Sequence, residues 1–353
     1  MELKQTPLNA LHRERGGRMV PFAGWEMPVQ YTSILEEHSR VRSSAGIFDV
    51  SHMGQFRLEG DDSAAFLDFT CSAHMSGAEI GAAKYAILCN ETGGAIDDLI
   101  VYRLSEKTWL LIVNASNIDK DFDWLTKHSE QFSVELENVS DDWALIALQG
   151  PEVIRMLEAR SWGFPKKRFQ HAEFVWDGTQ IRVCRTGYTG EDGVECLVRA
   201  DQVLGFVASV EDCLGEVAWC GLGARDSLRL EAGLPLYGHE LTDEFGPLEA
   251  RMKWAVDFSK TDFLGKAAME ARLESSERRI IRLFAMQDRR IARAGTPIVD
   301  TEGREVGEVL SGSLAPSLQC GIGSAVVPFG FKEAAYVSIR GKSLPIAWKK
   351  SLL

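Results

Sequence analysis

The order of the strand-like segments constrains the fold of this chain more than any other feature. Short segments rich in β-branched and aromatic residues follow one another in groups instead of alternating with helices. Strands joined by short turns pair antiparallel, whereas a parallel sheet needs a long crossover after each strand. We therefore predict an α+β fold. The clearest such group contains the segments Lys84–Leu88, Asp97–Arg103 and Trp109–Val113.

Turn residues mark further strand pairs and the end of the first region. Asp177-Gly178 lies between alternating residues and predicts a two-residue β-hairpin turn. A boundary is expected between Asp257 and Arg278, and from Ile280 onward only short strands and turns follow. This last pattern predicts a small all-β barrel or sandwich.

The N-terminal region contains a predicted loop and two predicted helices. Thr6-Pro7 is expected to open the first helix. Residues 20–31 hold two prolines and three aromatics, which predict an irregular loop that packs over another part of the protein. Ser33 and Glu36 form a capping box that predicts a helix to about Ser44.

Two adjacent carboxylates stand where the polar turn at Asn90 enters a strand. Side chains alternate faces along a strand, so each aspartate belongs to a different face. One face mixes a carboxylate, an aliphatic chain and a phenol, which suits the wall of a ligand pocket. The alternative is that both aspartates merely end a turn. The mixed face carries Asp98, Ile100 and Tyr102, and the other carries Asp97, Leu99 and Val101.

Composition excludes several classes of partner. The 353 residues carry a formal net charge of −12, which disfavours nucleic acid and anionic membranes. No apolar run approaches the roughly 18 residues of a membrane span, and the N-terminus lacks a signal core. We therefore expect a cytoplasmic enzyme. The seven cysteines include no CxxC pair and are expected to be reduced core residues, and Cys71 with His74 lacks the second half of a metal site.

The motifs of several chemistries are missing from the sequence. The segment 221–226 has only the first glycines of a dinucleotide fingerprint, and no P-loop, serine-nucleophile or zinc-protease motif occurs. We expect no metal and no nucleotide cofactor. Tyrosines, carboxylates and arginines remain, and they suit a flat polar heteroaromatic ligand with an anionic tail. His52 is a general base or, as we prefer, a hydrogen-bonded structural residue.

A resemblance to a known family extends nearly end to end. The motifs that carry it are Pro21-Phe-Ala-Gly-Trp, Phe48-Asp-Val-Ser-His-Met, Gly93-Gly-Ala-Ile-Asp-Asp, Leu148-Gln-Gly-Pro, Arg185-Thr-Gly-Tyr-Thr-Gly-Glu-Asp-Gly-Val-Glu, Ala224-Arg-Asp-Ser-Leu-Arg-Leu-Glu-Ala-Gly and Gly307-Glu-Val-Leu-Ser-Gly. With these motifs the sequence resembles the T-proteins of the glycine cleavage system, which are tetrahydrofolate-dependent aminomethyltransferases. Each motif is weak alone, but together they occur in order and at the spacing of the family.

The resemblance implies both an architecture and a reaction. The fold would comprise three subdomains in a ring around a central folate channel, with residues 1–260 forming two α+β subdomains and residues 278–353 the β-barrel. The reaction would take an aminomethyl group from the lipoyl sulfur of H-protein and pass its carbon to tetrahydrofolate, which yields methylenetetrahydrofolate and ammonia.

The resemblance also assigns roles to individual residues. Asp98 matches the catalytic aspartate, which accepts the proton of folate N5 or stabilises a cationic intermediate. Glu195 matches the glutamate whose two oxygens suit the paired N–H donors of a pterin. Arg225 matches an arginine that binds folate oxygens, although by itself it would be interpreted as a helix-surface charge. The remaining implied cofactor contacts are Met53, Tyr85, Ile100, Tyr102, Tyr188 and Arg293. For Arg293 the resemblance implies a place near either the cofactor or the H-protein surface.

Two departures and two rival functions accompany this resemblance. Ala315 stands where the family usually has serine before the proline, and family members often continue past the position of Leu353 into an aromatic tail that contacts folate. A folate-dependent demethylase of a small methylated substrate is the alternative enzyme. A non-catalytic folate-binding protein is disfavoured because no Lys-Gly-Cys motif occurs and Asp98 is present.

Overall fold

The computed structural model describes residues 2–215 and 217–353, with only the backbone described at Cys213 and Leu214. Helices and strands are mixed along this part of the chain, which confirms the α+β prediction. The helices are α1 (Asn9–Glu14), α2 (Ile34–Ser43), α3 (Ser63–Thr70), α4 (Ile118–Ser129), α5 (Val153–Ala159), α6 (Val203–Leu214), α7 (Leu222–Glu231) and α8 (Lys266–Glu274), with short 3-10 turns at Ala115–Asn117, Ser140–Asp142 and Lys253–Ala255.

The strands form a two-stranded ribbon, two larger sheets and a barrel. The ribbon is β1 (Arg18–Phe22) with β2 (Trp25–Gln30). The remaining strands before the barrel are β3 (Gly46–Asp49), β4 (Gly54–Glu59), β5 (Ala83–Cys89), β6 (Ala95–Arg103), β7 (Thr108–Val113), β8 (Glu135–Asn138), β9 (Trp143–Gln149), β10 (His171–Trp176), β11 (Thr179–Cys184), β12 (Gly193–Arg199) and β13 (Ala218–Trp219).

The two larger sheets place the candidate site residues. A six-stranded sheet has the order β10-β11-β12-β9-β3-β13, and a five-stranded sheet has the order β5-β6-β7-β4-β8. The run β5-β6-β7 is the predicted antiparallel group. Asp177 (φ 45°) and Gly178 (φ 82°) form the predicted turn between β10 and β11, because both residues adopt the left-handed conformation that such a two-residue turn requires.

The C-terminal strands close into a barrel, as predicted. They are β14 (Arg279–Met286), β15 (Pro297–Val299), β16 (Glu305–Ala315), β17 (Cys320–Pro328), β18 (Ala335–Ile339) and β19 (Lys342–Lys349). The barrel order is β14-β17-β16-β15-β18-β19, and β14 pairs with β19 to complete the ring. Asp300 fixes the turn between β15 and β16 by accepting from the backbone N–H groups of Glu302 and Arg304, at 2.8 and 3.0 Å.

The chain divides into two compact units. The first comprises Met1–Asp68, His74–Ala86 and Leu99–Arg225, and the second Phe69–Ala73, Ile87–Asp98 and Asp226–Leu353. In the first unit, α5 and α6 pack on the six-stranded sheet, where Trp162 and Trp176 stack with their centroids 4.5 Å apart. The predicted ring of three subdomains and the predicted domain boundaries stay predictions.

A buried polar network characterises the second unit. The guanidinium of Arg229 donates to Glu240 at 3.1 Å and to Ser311 at 2.8 Å. Ser324 donates its hydroxyl to the other oxygen of Glu240, and His239 lies 3.2 Å from Ser311. Arg229 and Glu240 are both buried, so each charge depends on the other and on these hydroxyls.

Two N-terminal predictions are wrong. Residues 20–31 form most of the β1–β2 ribbon and not an irregular loop, because Ala23 and Gly24 adopt positive φ and close a two-residue turn. Prolines are tolerated at edge positions of such a ribbon, where no neighbouring strand requires their N–H. Helix α1 begins at Asn9 and not at Thr6-Pro7, since a turn in which Asn9 donates to the Thr6 carbonyl precedes it.

Other local predictions are confirmed. Helix α2 begins after Ser33, whose hydroxyl accepts from the Glu36 backbone N–H at 3.2 Å. The cysteines form no disulfide among the described side chains, and five of them are buried, while Cys320 is partly exposed. Cys213 lies outside the described side chains. Ala315, the departure from the family pattern, ends β16, and the following Ser317 binds Glu231 through its N–H and hydroxyl.

Candidate active site

The candidate site is built around residues 185–192, here called the glycine loop, which joins β11 to β12. Arg185 and Asp192 close the ends of the loop by a two-point ion pair, at 3.2 and 2.7 Å. Arg42, on α2, donates to the Thr189 carbonyl at 2.6 Å and to Glu191 at 2.9 Å. These charge-assisted contacts close the loop and fix it against α2.

Gln149 holds the inner side of the glycine loop. Its amide nitrogen donates to the Thr186 carbonyl at 3.1 Å, and its amide oxygen accepts from the Thr189 hydroxyl at 3.0 Å. A Cβ added at Gly187 would lie 1.9 Å from the Gln149 Oε1, and one at Gly193 would lie 2.7 Å from its Nε2. These two glycines therefore make room for a buried side chain of the protein.

Glu195 is the buried carboxylate of the site. It lies on β12 and is only 9 % exposed. The Thr186 hydroxyl donates a hydrogen bond to its Oε2. The Tyr102 hydroxyl lies 3.2 Å from the Thr186 hydroxyl oxygen, and Tyr102 is 1 % exposed. Burial, with Cys184 and Glu195 nearby, raises the pKa of the Tyr102 phenol well above its usual value, so this phenol keeps its proton.

Arg225 occupies the start of α7 and faces the glycine loop. Its guanidinium carbon lies 4.7 Å from the centroid of the Tyr188 ring, and its Nη2 lies 3.9 Å from the Met53 sulfur. Burial lowers the pKa of Arg225, while the charge of Glu195 opposes that shift. Among the described residues, no carboxylate forms an ion pair with Arg225. The guanidinium is thus a cation held by an aromatic face and a thioether.

His52 lies beside this cluster in a neutral state. Burial lowers its pKa to about 4, which the Asp49 carboxylate opposes and the Arg225 cation reinforces. Phe22 contacts its ring edge to face at 5.7 Å. Among the described residues, its buried Nδ1 has no hydrogen-bond partner. The prediction of a hydrogen-bonded structural histidine is therefore wrong for this nitrogen, and a pKa near 4 makes His52 a weak base at neutral pH.

The structure thus brings together five of the predicted site residues within the first unit. These are Met53, Tyr102, Tyr188, Glu195 and Arg225, joined by the contacts described above. Two residues that the sequence reasoning did not select, Thr186 and Gln149, connect them. Thr186 lies inside the recognised glycine-rich motif and Gln149 inside Leu148-Gln-Gly-Pro, so both motifs contained the signal.

The remaining predicted residues are placed as follows. Ile100 and Tyr85 are half-buried on β6 and β5 of the five-stranded sheet. Asp98 is half-buried on β6, two residues before Ile100, whereas Asp97 is 0 % exposed, as alternation predicted. Arg293 belongs to the second unit and is exposed between β14 and β15. The functional roles assigned to these residues stay predictions.

A separate surface groove of about 980 Å³ lies elsewhere in the first unit, between α1, α2 and β13. Three of its polar lining side chains bind neighbouring groups. Arg15 and the Trp219 indole N–H both donate to Glu211, and the Tyr31 hydroxyl lies 2.8 Å from His12 Nδ1.

Two features are absent from the part of the chain that the structure describes. Within residues 2–215 and 217–353, no three His, Cys, Asp or Glu side chains are grouped so as to hold a metal ion. None of the described helices combines the length and the apolar character needed to cross a membrane.

Comparison with known families identifies the chain. The family pattern described as the GCVT N-terminal domain matches residues 8–260, and the pattern of the glycine cleavage T-protein C-terminal barrel domain matches residues 278–351. The chain belongs to the glycine cleavage T-protein family. The second match covers the six strands that close the barrel.

Individual relatives agree with this assignment. Proteins named aminomethyltransferase from Desulfitobacterium hafniense (strain DSM 10664 / DCB-2) and from Chlorobaculum tepidum are each 42% identical to the chain. The alignments cover 97% of this chain and 96% of the first protein, and 99% and 98% for the second. The crystal structure of the glycine cleavage system aminomethyltransferase T from Bartonella henselae is 34% identical, with a TM-score of 0.92 over 99% of this chain and 98% of that one.

Proposed function

We propose that this chain, an aminomethyltransferase of the glycine cleavage system, transfers the one-carbon unit of aminomethyl-lipoyl H-protein to tetrahydrofolate, giving 5,10-methylenetetrahydrofolate and ammonia. Tetrahydrofolate is the substrate of this family, and glycine cleavage T-proteins act with H-protein and folate. The observation that carries the proposal is the cluster of Glu195, Tyr188 and Arg225 around the glycine loop. The further prediction of no metal and no nucleotide cofactor belongs to the same proposal.

The chemistry of this cluster fits a pterin with its polar edge and anionic tail. The Glu195 carboxylate supplies acceptor oxygens, which suit a ring edge bearing N–H donors. The Tyr188 phenol ring supplies a flat face. Arg225, a cation without an ion pair to any described carboxylate, suits a carbonyl or carboxylate oxygen of the ligand. Met53, Tyr85, Ile100 and Tyr102 would complete the binding residues of the first unit, and Arg293 is proposed for the second.

Asp98 is the proposed catalytic residue. Bound tetrahydrofolate supplies N5, a secondary amine nucleophile that receives the carbon. The Asp98 carboxylate would hold the proton released from that amine, or stabilise positive charge next to it. Its half-buried position on β6, opposite in face to the fully buried Asp97, leaves part of its surface available for this role. Residues 1–260 would hold the folate, with residues 278–353 as the barrel domain.

Reconstitution tests the function directly. Purified protein, aminomethylated H-protein and tetrahydrofolate should together release ammonia and form methylenetetrahydrofolate, and omission of any one should abolish both products. Tetrahydrofolate at 100 times its Kd should also stabilise the protein by about 2.7 kcal/mol in thermal unfolding. Demethylation of a small methylated amine or thioether without H-protein would instead support the alternative demethylase, which the names of the curated relatives do not favour.

A further inference from the structure

Three side chains of the first unit form a continuous hydrogen-bonded chain that ends at the Glu195 carboxylate. The phenol of Tyr102 on β6 contacts the hydroxyl of Thr186 at the start of the glycine loop, and that hydroxyl contacts Glu195 on β12. All three residues are buried. These three hydrogen-bonded side chains are therefore shielded from water. Hydrogen bonds in such a buried environment are stronger than in water.

The direction of every hydrogen in this chain follows from the chemistry of its members. The Thr186 hydroxyl donates its one hydrogen to Glu195 Oε2. The Thr186 oxygen can then only accept, and the Tyr102 phenol must donate to it. The raised pKa of the Tyr102 phenol keeps that proton in place at any physiological pH.

We propose that Tyr102 and Thr186 are positioning residues that fix the rotamer of Glu195 and reserve its second oxygen for donors of the ligand. Oε2 is engaged by Thr186, so Oε1 is the oxygen left to face the ligand, and a carboxylate oxygen accepts from N–H or O–H groups. The site would thus favour ligands with an N–H donor edge, as in a 2-amino-4-oxo pterin, and reject rings that present an acceptor or a plain C–H there. This inference rests on the proposed folate function. It assigns Tyr102, which is 1 % exposed, a positioning role through Thr186.

Two ligands and two Thr186 variants separate positioning from mere structural support. The ligands are tetrahydrofolate and its analogue with hydrogen in place of the 2-amino group, and Kd is measured for both by calorimetry. Wild-type protein should prefer tetrahydrofolate by at least about 10-fold, because an unpaired buried acceptor is costly. Thr186→Val should weaken tetrahydrofolate binding about 10- to 100-fold and change analogue binding less than about 3-fold, so that discrimination collapses.

Conservative and control variants complete the experiment. Thr186→Ser keeps the hydroxyl and should retain wild-type discrimination, and Tyr102→Phe should show an intermediate loss. Thr179→Val makes the same change on β11, away from the chain, and should alter neither Kd. In turnover with H-protein, Thr186→Val should raise KM for tetrahydrofolate more than it lowers kcat.

The outcomes that overturn the inference are distinct from failure of the proposed function. If Thr186→Val binds tetrahydrofolate as the wild type does, weakens both ligands equally, or behaves like Thr186→Ser, the positioning role is wrong. In those cases the wild-type protein still binds tetrahydrofolate and the proposed function stands. If the wild-type protein does not bind tetrahydrofolate at all, the proposed function fails, and this inference fails with it.

Discussion

Replacing Asp98 with asparagine tests the catalytic proposal with the least structural disturbance. Asparagine has nearly the same shape as aspartate, but it cannot take up a proton or carry a negative charge. Asp98 is half-buried, so the exchange leaves no cavity and disturbs little packing. A fall in turnover should therefore report the lost chemistry of one carboxylate.

The expected size of the effect follows from the role. Positioned acid or base groups contribute roughly 10²- to 10⁴-fold to a rate. At 1.36 kcal/mol for each factor of ten, the Asp98→Asn variant should lose about 3–5 kcal/mol of transition-state stabilisation. The KM for tetrahydrofolate should change little, because the proposed binding contacts come from Glu195, Tyr188 and Arg225.

The neighbouring aspartate provides the matched control. Asp97 is 0 % exposed and lies on the opposite face of β6, where it makes contacts with its surroundings. Asp97→Asn should therefore act on stability, by about 1–3 kcal/mol, and change kcat less than about 3-fold.

Ammonia release with aminomethylated H-protein and tetrahydrofolate measures turnover, and thermal unfolding measures stability. Single-turnover formation of methylenetetrahydrofolate separates chemistry from product release. An Asp98→Asn protein that retains more than about a tenth of wild-type turnover would refute the assignment. Its rate loss of less than about 10-fold would lie below the range expected for acid–base catalysis. The same holds if a folded Asp97→Asn protein proves the more impaired of the two.

Three further predictions concern the site and the two units. His52 has a pKa of about 4 in the folded protein, below its value of about 6.5 in the unfolded chain. As pH falls from about 6.5 to about 4, the unfolded chain therefore takes up the proton first, and the free energy of unfolding should fall by about 3 kcal/mol. In urea unfolding, His52→Asn should remove this pH dependence. Gly187→Ala puts a Cβ 1.9 Å from the Oε1 of the glutamine that holds the glycine loop, so the Kd for tetrahydrofolate, measured by calorimetry, should rise about 10-fold. Gly205→Ala on α6 is the control, because open space surrounds this position and the Kd should stay unchanged. Arg229→Met leaves the buried Glu240 carboxylate without its cation and should cost about 3–5 kcal/mol in unfolding. Arg290→Met, at an exposed pair, should leave the free energy of unfolding nearly unchanged, and equal costs would contradict this reasoning.

Patterns that depend on local geometry were predictable from the sequence. Strand alternation separated Asp97 from Asp98, and the structure buries Asp97 and leaves Asp98 half-buried. The Ser33 capping box and the Asp177-Gly178 hairpin were also predicted, because each depends on residues within a few positions of one another. The C-terminal barrel followed from a run of strands without helices.

Prediction failed where an unusual backbone conformation decided the structure. The ribbon of β1 and β2 contains prolines that argue against a central strand, and its turn requires a positive φ at Ala23. Alanine seldom adopts that conformation, so this residue did not predict the turn. The strands Ala218–Trp219 and Pro297–Val299 are too short to show any alternation and were not foreseen.

The side chains that support the site were not predicted, for a different reason. Thr186 contacts Tyr102 across 84 positions of the chain, and Gln149 contacts Thr186 across 37. A sequence lists such residues without stating which side chains the fold brings together. Glycines in a loop commonly allow close approach of a ligand or a tight turn. In the structure, Gly187 instead admits the Gln149 amide, while Gly190, with a φ of 85°, forms the turn.

The role of Gly187 shows how the motif at residues 185–195 is organised. It contains a hydroxyl donor at Thr186, a ring at Tyr188 and an acceptor at Glu195, and the glycine between the first two lets a glutamine hold the backbone of the loop. Recognition and part of its support are therefore encoded in the same short segment. Gln149 fixes the loop backbone, so replacing it should displace the Tyr188 ring and the Glu195 carboxylate together. Thr186 fixes only the Glu195 carboxylate, so replacing it should release that carboxylate alone.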